Sequence, residues 1–372
     1  SKFPLTIKTP SRICLFGEHQ DYLGLPVIAM AVSLYSKISG ESPADGGIKR
    51  RKMRKKQGAG DRVLIHKPDI NEMESFSLDD LSYTHQRDYF KSGIKACQDE
   101  GLTFSQGFEV EVTSNIPLQA GCSSSSSIMV GWIHFLSQMA DEPIDWQPEK
   151  IAQLAYEAEV VEFGQPGGMM DQYSTAMGGL IYLESEPNIT LISLKPIPVA
   201  FVLGDSLEQK NTLNILQRCK NNRLDISNKL KNDNPEFSLH SIKITDIVNF
   251  TKFLTENEME LLRGTIKNRD ILREALSVLQ SGNPDYELIG NLLTDHHAVL
   301  RDILKVSTPK IEDMLEAALK TGALGGKING SGGGGCMFAI TSGNPQAVAE
   351  AIEKVGGEAT IIRQIEGTKI GF

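Results

Sequence analysis

Apolar and polar positions change their period several times along the chain, and each change predicts an element. Residues 3 to 40 read as short β-rich segments, with Val27 to Ile38 mostly apolar and β-branched or small. From Gly40 to Asp61 the pattern is lost. Gly, Ser, Pro and basic residues dominate there without usable periodicity, which predicts an exposed loop. Helical spacing returns around 87–100, a strand is predicted at 107–114, helices near 123–140 and 148–162, and strands around 179–184 and 198–204. These segments read as one α/β unit. After "GDS" at 204–206 the pattern turns helical, near 210–231, 256–280, 285–304 and 308–320. Strands are expected again at 323–328, 336–341 and 358–363, with a helix at 345–355 between the last two. A boundary near 205 gives one domain of residues 1–205 and a second of 206–372, and no internal repeat is visible.

Length and charge narrow the class. A chain of 372 residues has room for about two domains with sizeable cores. A net charge of −9 with 40% apolar residues describes a soluble globular protein whose field does not favour nucleic acid or acidic membranes. No apolar run approaches the roughly 18 residues of a membrane span, and "SKFPLTIKTP" lacks a signal-peptide core, so a cytoplasmic address is expected. Cys14, Cys97, Cys122, Cys219 and Cys336 are scattered and odd in number, which reads as reduced thiols rather than disulfides or a zinc site. The stretch "KRRKMRKK" at 49–56 has seven basic residues in eight positions. It is either a solvated loop or a hold on an acidic partner.

Four short stretches carry candidate chemistry. "SRICLFGEHQDY" places Glu18, His19 and Asp21 beside Gly17 directly after an apolar strand, where turn residues would ordinarily stand. "IPLQAGCSSSSS" puts Ser123 to Ser127 where an apolar helix begins. A helix N-terminus has unpaired N–H groups and a partial positive charge, so this turn is either a serine-rich cap or a prepared anion site. It is not a Walker loop, since no GxxxxGK[ST] is present. "NGSGGGGC" has five glycines in six positions, from Gly330 to Gly335. Either it is a flexible hairpin, or the chain there turns through positive φ and admits another backbone or a phosphate. In "EVVEFGQPGGMMDQY", Asp171 stands among Met169, Met170 and Tyr173 and is either a helix cap or a functional carboxylate. The preceding helix has an apolar stripe of Ile151, Leu154, Ala155, Ala158 and Val161, with Glu159 at its edge and Glu162 nearer its middle. Periodicity alone does not choose between the two glutamates. His296 and His297 lack the i, i+4 spacing of a helical metal pair.

Taken in order, these four stretches resemble the GHMP kinase superfamily, and its galactokinase branch in particular. "SRICLFGEHQDY" is similar to the galactokinase signature, "PLQAGCSSSSS" to the superfamily's phosphate-binding motif, "GQPGGMMDQY" to a galactokinase segment, and "NGSGGGGC" to the C-terminal glycine motif. The resemblance implies an α+β, two-domain GHMP kinase-like fold with the active site in the cleft between the domains. It implies an ATP-dependent kinase that phosphorylates the anomeric hydroxyl of a galactose-like sugar, with ATP and Mg2+ bound and a monomeric or homodimeric state. Asp171 then falls on the catalytic aspartate and Arg12 on its accompanying arginine. Glu18, His19, Asp21 and Gly168 match sugar-binding positions; Gly121, Ser123, Ser124, Ser125 and Ser126 fall in the phosphate loop; Ser125 and Glu159 match the magnesium ligands. Gln119 and Ala120 stand where the family has glycines, Gln20 where it has Thr and Gly167 where it has Cys. The Ser-x-Tyr-x-x-Arg-Arg pattern of galactokinases is absent, since "KNTLNILQRCKNNR" offers no tyrosine. A uronic acid, arabinose or a heptose phosphate is the alternative acceptor, mevalonate is a weaker fit, and a non-catalytic sugar and ATP sensor is the alternative outside enzymes.

Overall fold

The structure is a computed structural model that describes residues 5–41, 60–209 and 212–371. The basic stretch at 49–56 lies outside the described residues. The chain opens with β1 (Leu5–Phe16) and β2 (Val27–Gly40), which pair antiparallel from Leu5↔Gly40 to Phe16↔Ile28. Where short segments are expected there are thus two long strands. Register shifts at Pro10/Ser11 and Cys14/Phe16 explain the broken pattern, because an extra residue turns the side chains to the other face.

Next come β3 (Arg62–Lys67), β4 (Glu72–Ser77), α1 (Tyr89–Asp99), β5 (Glu109–Ser114), α2 (Ser124–Met139) and α3 (Pro148–Tyr156). A π-turn at Glu157–Val161, α4 (Met170–Met177), β6 (Leu180–Glu184) and β7 (Thr190–Leu194) complete this half. The first sheet runs β1-β2-β5-β3-β4, with β6 and β7 on the other end of β2. Helix α2 lies against β1 and β2, and its Trp132 and Phe135 rings stack 5.8 Å apart in the core. The Trp132 Nε1–H donates to the Phe90 carbonyl at 3.0 Å, so the one polar atom of that ring is satisfied in the dry interior.

The second half contains β8 (Ala200–Asp205), α5 (Thr212–Asp233), α6 (Glu256–Gln280), α7 (Tyr286–Asp302), α8 (Pro309–Lys320), β9 (Gly325–Asn329), β10 (Cys336–Thr341), α9 (Pro345–Lys354) and β11 (Glu358–Ile362). Its sheet is antiparallel throughout, in the order β11-β8-β10-β9. The helix starts here agree with the sequence reading because capping residues mark them. Thr255, Asp285, Thr308 and Asn344 each accept a backbone N–H with the side chain.

Sheet membership departs from a division at residue 205 in two places. β8, placed by the sequence pattern with the first half, is a central strand of the second sheet. The chain end returns as β12 (Lys369–Ile370) to pair with β1. A core cluster also joins the halves, packing Ile13, Leu15 and Phe16 of β1 with Leu272 of α6, Leu293 of α7 and Phe338 of β10. No helix among the described residues is long and apolar enough to cross a membrane.

The glycine segment between β9 and β10 lies directly on the turn that precedes α2. A Cβ on Gly330 would stand 2.5 Å from the Gly121 Cα, and one on Gly335 would stand 2.5 Å from the Ala120 oxygen. Both glycines have positive φ. The Cys336 N–H donates to the Ala120 carbonyl at 2.8 Å, and the Asn329 amide donates to the Gly121 carbonyl at 3.1 Å. The backbone that glycine admits is therefore the serine-rich turn. Gly330→Ala is expected to destabilise by about 2 kcal/mol or more, from the forced separation together with the disfavoured φ. Gly343→Ala, with only Thr341 Oγ1 at 3.5 Å, is the comparison that should melt like the parent. Equal melting midpoints for the two variants would contradict the close crossing.

Candidate active site

A cleft of about 510 Å³ opens where the β1–β2 connection, the serine turn, the segment before α4, the start of α5 and the glycine segment meet. Arg12 enters it from β1. Its Nε donates to Asp171 Oδ1 at 2.6 Å and its Nη1 donates to the Gly121 carbonyl at 3.0 Å. One buried guanidinium thus ties a cleft carboxylate to the serine turn. Burial opposes the Arg12 charge, but Asp171 and Glu18 more than offset it and hold the group protonated. Asp171 is the second residue of α4 and does not cap it; its side chain is 31% exposed and faces the cleft. Between the two readings of Asp171 the geometry favours the cleft-facing carboxylate.

The serine turn leaves polar groups facing the cleft. Gln119, Gly121 and Ser123 all have positive φ, so Gln119 adopts the conformation that a glycine would take without strain. The hydroxyls of Ser123 and Ser124 are buried yet have no hydrogen-bond partner, and both residues line the cleft at the N-terminus of α2. Orphaned hydroxyls beside unpaired helix N–H groups suit a phosphate.

Glu159 faces the cleft and Glu162 does not. In the π-turn the Glu162 N–H bonds to the Glu157 carbonyl, five residues back, and the wider turn carries Glu159 and Val160 inward. Val161, expected on the apolar stripe, is 58% exposed, and Glu162 accepts from the Tyr83 hydroxyl at 2.7 Å on the surface. Glu159 Oε1 accepts from Ser126 Oγ and from Gln172 Nε2, each at 2.7 Å. Burial raises the Glu159 pKa despite those two bonds. The hydroxyls of Ser125 and Ser126 with the Glu159 carboxylate form a set of hard oxygen donors, which fits magnesium.

The Glu-His-Asp turn divides its labour. Glu18 is only 3% exposed. Its Oε1 accepts from Lys327 Nζ at 3.1 Å and from the Gly330 N–H at 2.5 Å. Burial would raise its pKa, but Lys327 and Arg12 reverse that and the carboxyl is held low. His19, at φ +61°, has Nδ1 bonded to the Tyr22 hydroxyl at 2.7 Å and Nε2 donating to the Ser331 carbonyl at 2.6 Å. Both side chains, which the resemblance implies as sugar contacts, line the cleft and also fix the turn to the glycine segment. Asp21 is the more open acid. Burial, with the charges of Asp171 and Glu18, pushes its pKa up to about 7. Gly168 packs on it so closely that a Cβ there would overlap the Asp21 carboxylate.

Some participants were not singled out by the sequence reading. Lys327 is fully buried two residues before the glycine motif, and Gln172 follows Asp171 directly. Arg223 reaches from α5 to the Tyr22 hydroxyl at 2.8 Å and to the His19 carbonyl. His296 and His297 are buried; His296 Nε2 accepts the Glu18 N–H at 3.2 Å, which is a positioning contact. On the α5 side the wall is Thr212, Leu213 and Leu216, with no tyrosine.

Comparison with known proteins agrees with this arrangement. Residues 88–179 match the family described as GHMP kinases N terminal domain, residues 272–358 match GHMP kinases C terminal, and residues 1–38 match the galactokinase galactose-binding signature. The chain is 28% identical to a mevalonate kinase of Thermococcus sibiricus, covering 97% of this chain and 96% of that one. It is 26% identical to a galactokinase of Pyrococcus furiosus, covering 90% and 88%. Its fold superposes on the crystal structure of Lactococcus lactis galactokinase complexed with galactose with a TM-score of 0.83, at 20% identity over 98% of this chain and 94% of that one. Family matches on both halves, the signature on β1 and β2, and a cleft built from the same four stretches converge: the chain belongs to the GHMP kinase family, whose members are kinases that use ATP.

Proposed function

We propose that the chain is an ATP-dependent sugar kinase that transfers the ATP γ-phosphate to the anomeric hydroxyl of a galactose-like sugar, with Mg2+ bound by Ser125, Ser126 and Glu159. The observation that carries this reading is the Arg12–Asp171 pair at 2.6 Å, in the same cleft as the orphaned hydroxyls of Ser123 and Ser124. The galactose-binding signature and the galactokinase relative support the choice of sugar over mevalonate.

In this reading the serine turn and the N-terminus of α2 cradle the triphosphate. Asp171 accepts the proton of the attacking hydroxyl. The sugar oxygen forms a bond to the γ-phosphorus while the bridging bond to the β-phosphate oxygen breaks and leaves its electron pair on ADP. Arg12 aims Asp171, and adds positive charge where the transferred group gathers negative charge. Magnesium, when bound, supplies further neutralisation of the phosphate oxygens. Asp21 accepts from a sugar hydroxyl, while Glu18 and His19 hold the turn that presents it. The Thr212, Leu213 and Leu216 wall replaces the expected tyrosine and leaves an apolar face on the acceptor's second side.

Asp171→Asn should lower kcat by about 100-fold or more while ATP affinity stays near that of the parent, because the lost contact belongs to the transition state. Turnover within about threefold of the parent would remove Asp171 from this role. Glu159→Gln should raise the magnesium concentration needed for half-maximal rate, whereas Glu162→Gln should leave it unchanged. A larger effect at Glu162 would mean that the π-turn register is wrong. For the acceptor, kcat/KM is compared across galactose, glucose, arabinose, galacturonate, glucuronate, a heptose 7-phosphate and mevalonate. Galactose should lead. Since Asp21 titrates near 7 and its carboxylate repels another, any turnover of a uronate should fall relative to galactose as pH rises through 7, and Asp21→Asn should abolish that fall. A uronate preferred at pH 8, or mevalonate preferred at any pH, overturns the neutral-sugar assignment.

A further inference from the structure

Away from the kinase chemistry, β4 and the loop that leads from it to α1 bring together three side chains of metal-ligating type. A carboxylate oxygen of Glu74, an imidazole nitrogen of His85 and a carboxylate oxygen of Asp88 all lie within 4.8 Å of one another. Asp88 is fully buried, and its Oδ1 has no hydrogen-bond partner. That orphaned oxygen stands 3.5 Å from His85 Nε2, too far for a hydrogen bond. Two ligands of a tetrahedral zinc, each about 2.0–2.1 Å from the ion, stand about 3.4 Å apart.

The groups around these three side chains fit the same arrangement. The Thr84 hydroxyl lies 3.4 Å from His85 Nδ1 and 3.5 Å from Asp88 Oδ2. Lys91 and the Thr84 N–H hold Asp88 Oδ2, at 3.2 and 3.1 Å, and Lys67 holds Glu74 Oε2 at 3.3 Å. The two ammonium groups already balance the two carboxylates, so a divalent ion enters a locally neutral site and binds with moderate strength.

We propose that Glu74, His85 and Asp88 form a binding site for a divalent transition metal of the zinc class, with a fourth position open to solvent. A mixed nitrogen and oxygen donor set selects zinc or cobalt over magnesium, which takes oxygen donors. Gln86 and Arg87 lie between two of the ligands and line the cleft, so a bound ion fixes the wall that they form.

The probe is Co2+, titrated into metal-stripped protein without a polyhistidine tag and read by visible d–d absorption. One equivalent should give the intense band of a low-coordinate cobalt, and Zn2+ should displace it. His85 is exposed, so His85→Ala leaves the fold intact and should weaken Co2+ binding by about 10-fold or more, and Glu74→Gln should weaken it in the same direction. Glu159→Gln, in the kinase cleft, should leave the band unchanged. No such band at millimolar Co2+, or a band of equal affinity in His85→Ala, would overturn the site.

Discussion

Lys327 carries an ammonium into a place that water does not reach, and Glu18 is there to meet it. The pair lies between β9 and the turn after β1, so it ties together strands from the two sheets. Lys327 also donates to the Cys14 carbonyl at 2.8 Å, and Glu18 takes the Gly330 N–H, which fixes the first residue of the glycine segment. The glycine segment in turn rests on the serine turn, and Arg12 joins that turn to Asp171. Replacing such a pair with well-packed apolar residues is often neutral for stability, whereas removing one partner costs about 3–5 kcal/mol. The pair also joins three backbone segments from distant parts of the chain, so that their meeting point leaves neither charge unpaired.

The same frame separates the carboxylates by environment. Glu18 is held ionised by Lys327 and Arg12, with one oxygen bound to Lys327 and to the Gly330 N–H. Asp171 keeps one oxygen on Arg12 and stays open to the cleft. Asp21 is pushed toward neutrality by burial and by its two acidic neighbours. Glu159 is buried with hydroxyl and amide donors and no cation beside it, so its pKa rises. Four acids in one cleft thus meet different surroundings, a condition for giving them different tasks.

Much of this was legible in the sequence where the signal was local. Capped helices such as α6 and α8 begin within one residue of their expected starts, since Thr255 and Thr308 announce them. The serine and glycine stretches pointed to a turn at a helix start and to close backbone approach. What failed depended on distant partners or on an interrupted period. The π-turn displaced Val161 from the stripe that periodicity gave it, and so brought Glu159 inward. β3, β4 and β7 are short strands whose pairing is set by neighbours far along the chain. Glu18 and His19, which the resemblance implies as sugar contacts, line the cleft but also bind partners that the sequence did not single out. Lys327, which engages Glu18, and Ser331, whose carbonyl takes His19, lie more than 300 residues away.

A double-mutant cycle on Glu18 and Lys327, read by thermal unfolding, tests the frame most directly. Glu18→Gln and Lys327→Met each strand a buried charge, and the double variant strands none. The double variant should therefore be less destabilised than the sum of the single changes, by more than about 1 kcal/mol. Additive single effects would mean that the two groups do not act as a pair, and that something else holds the glycine segment against the serine turn.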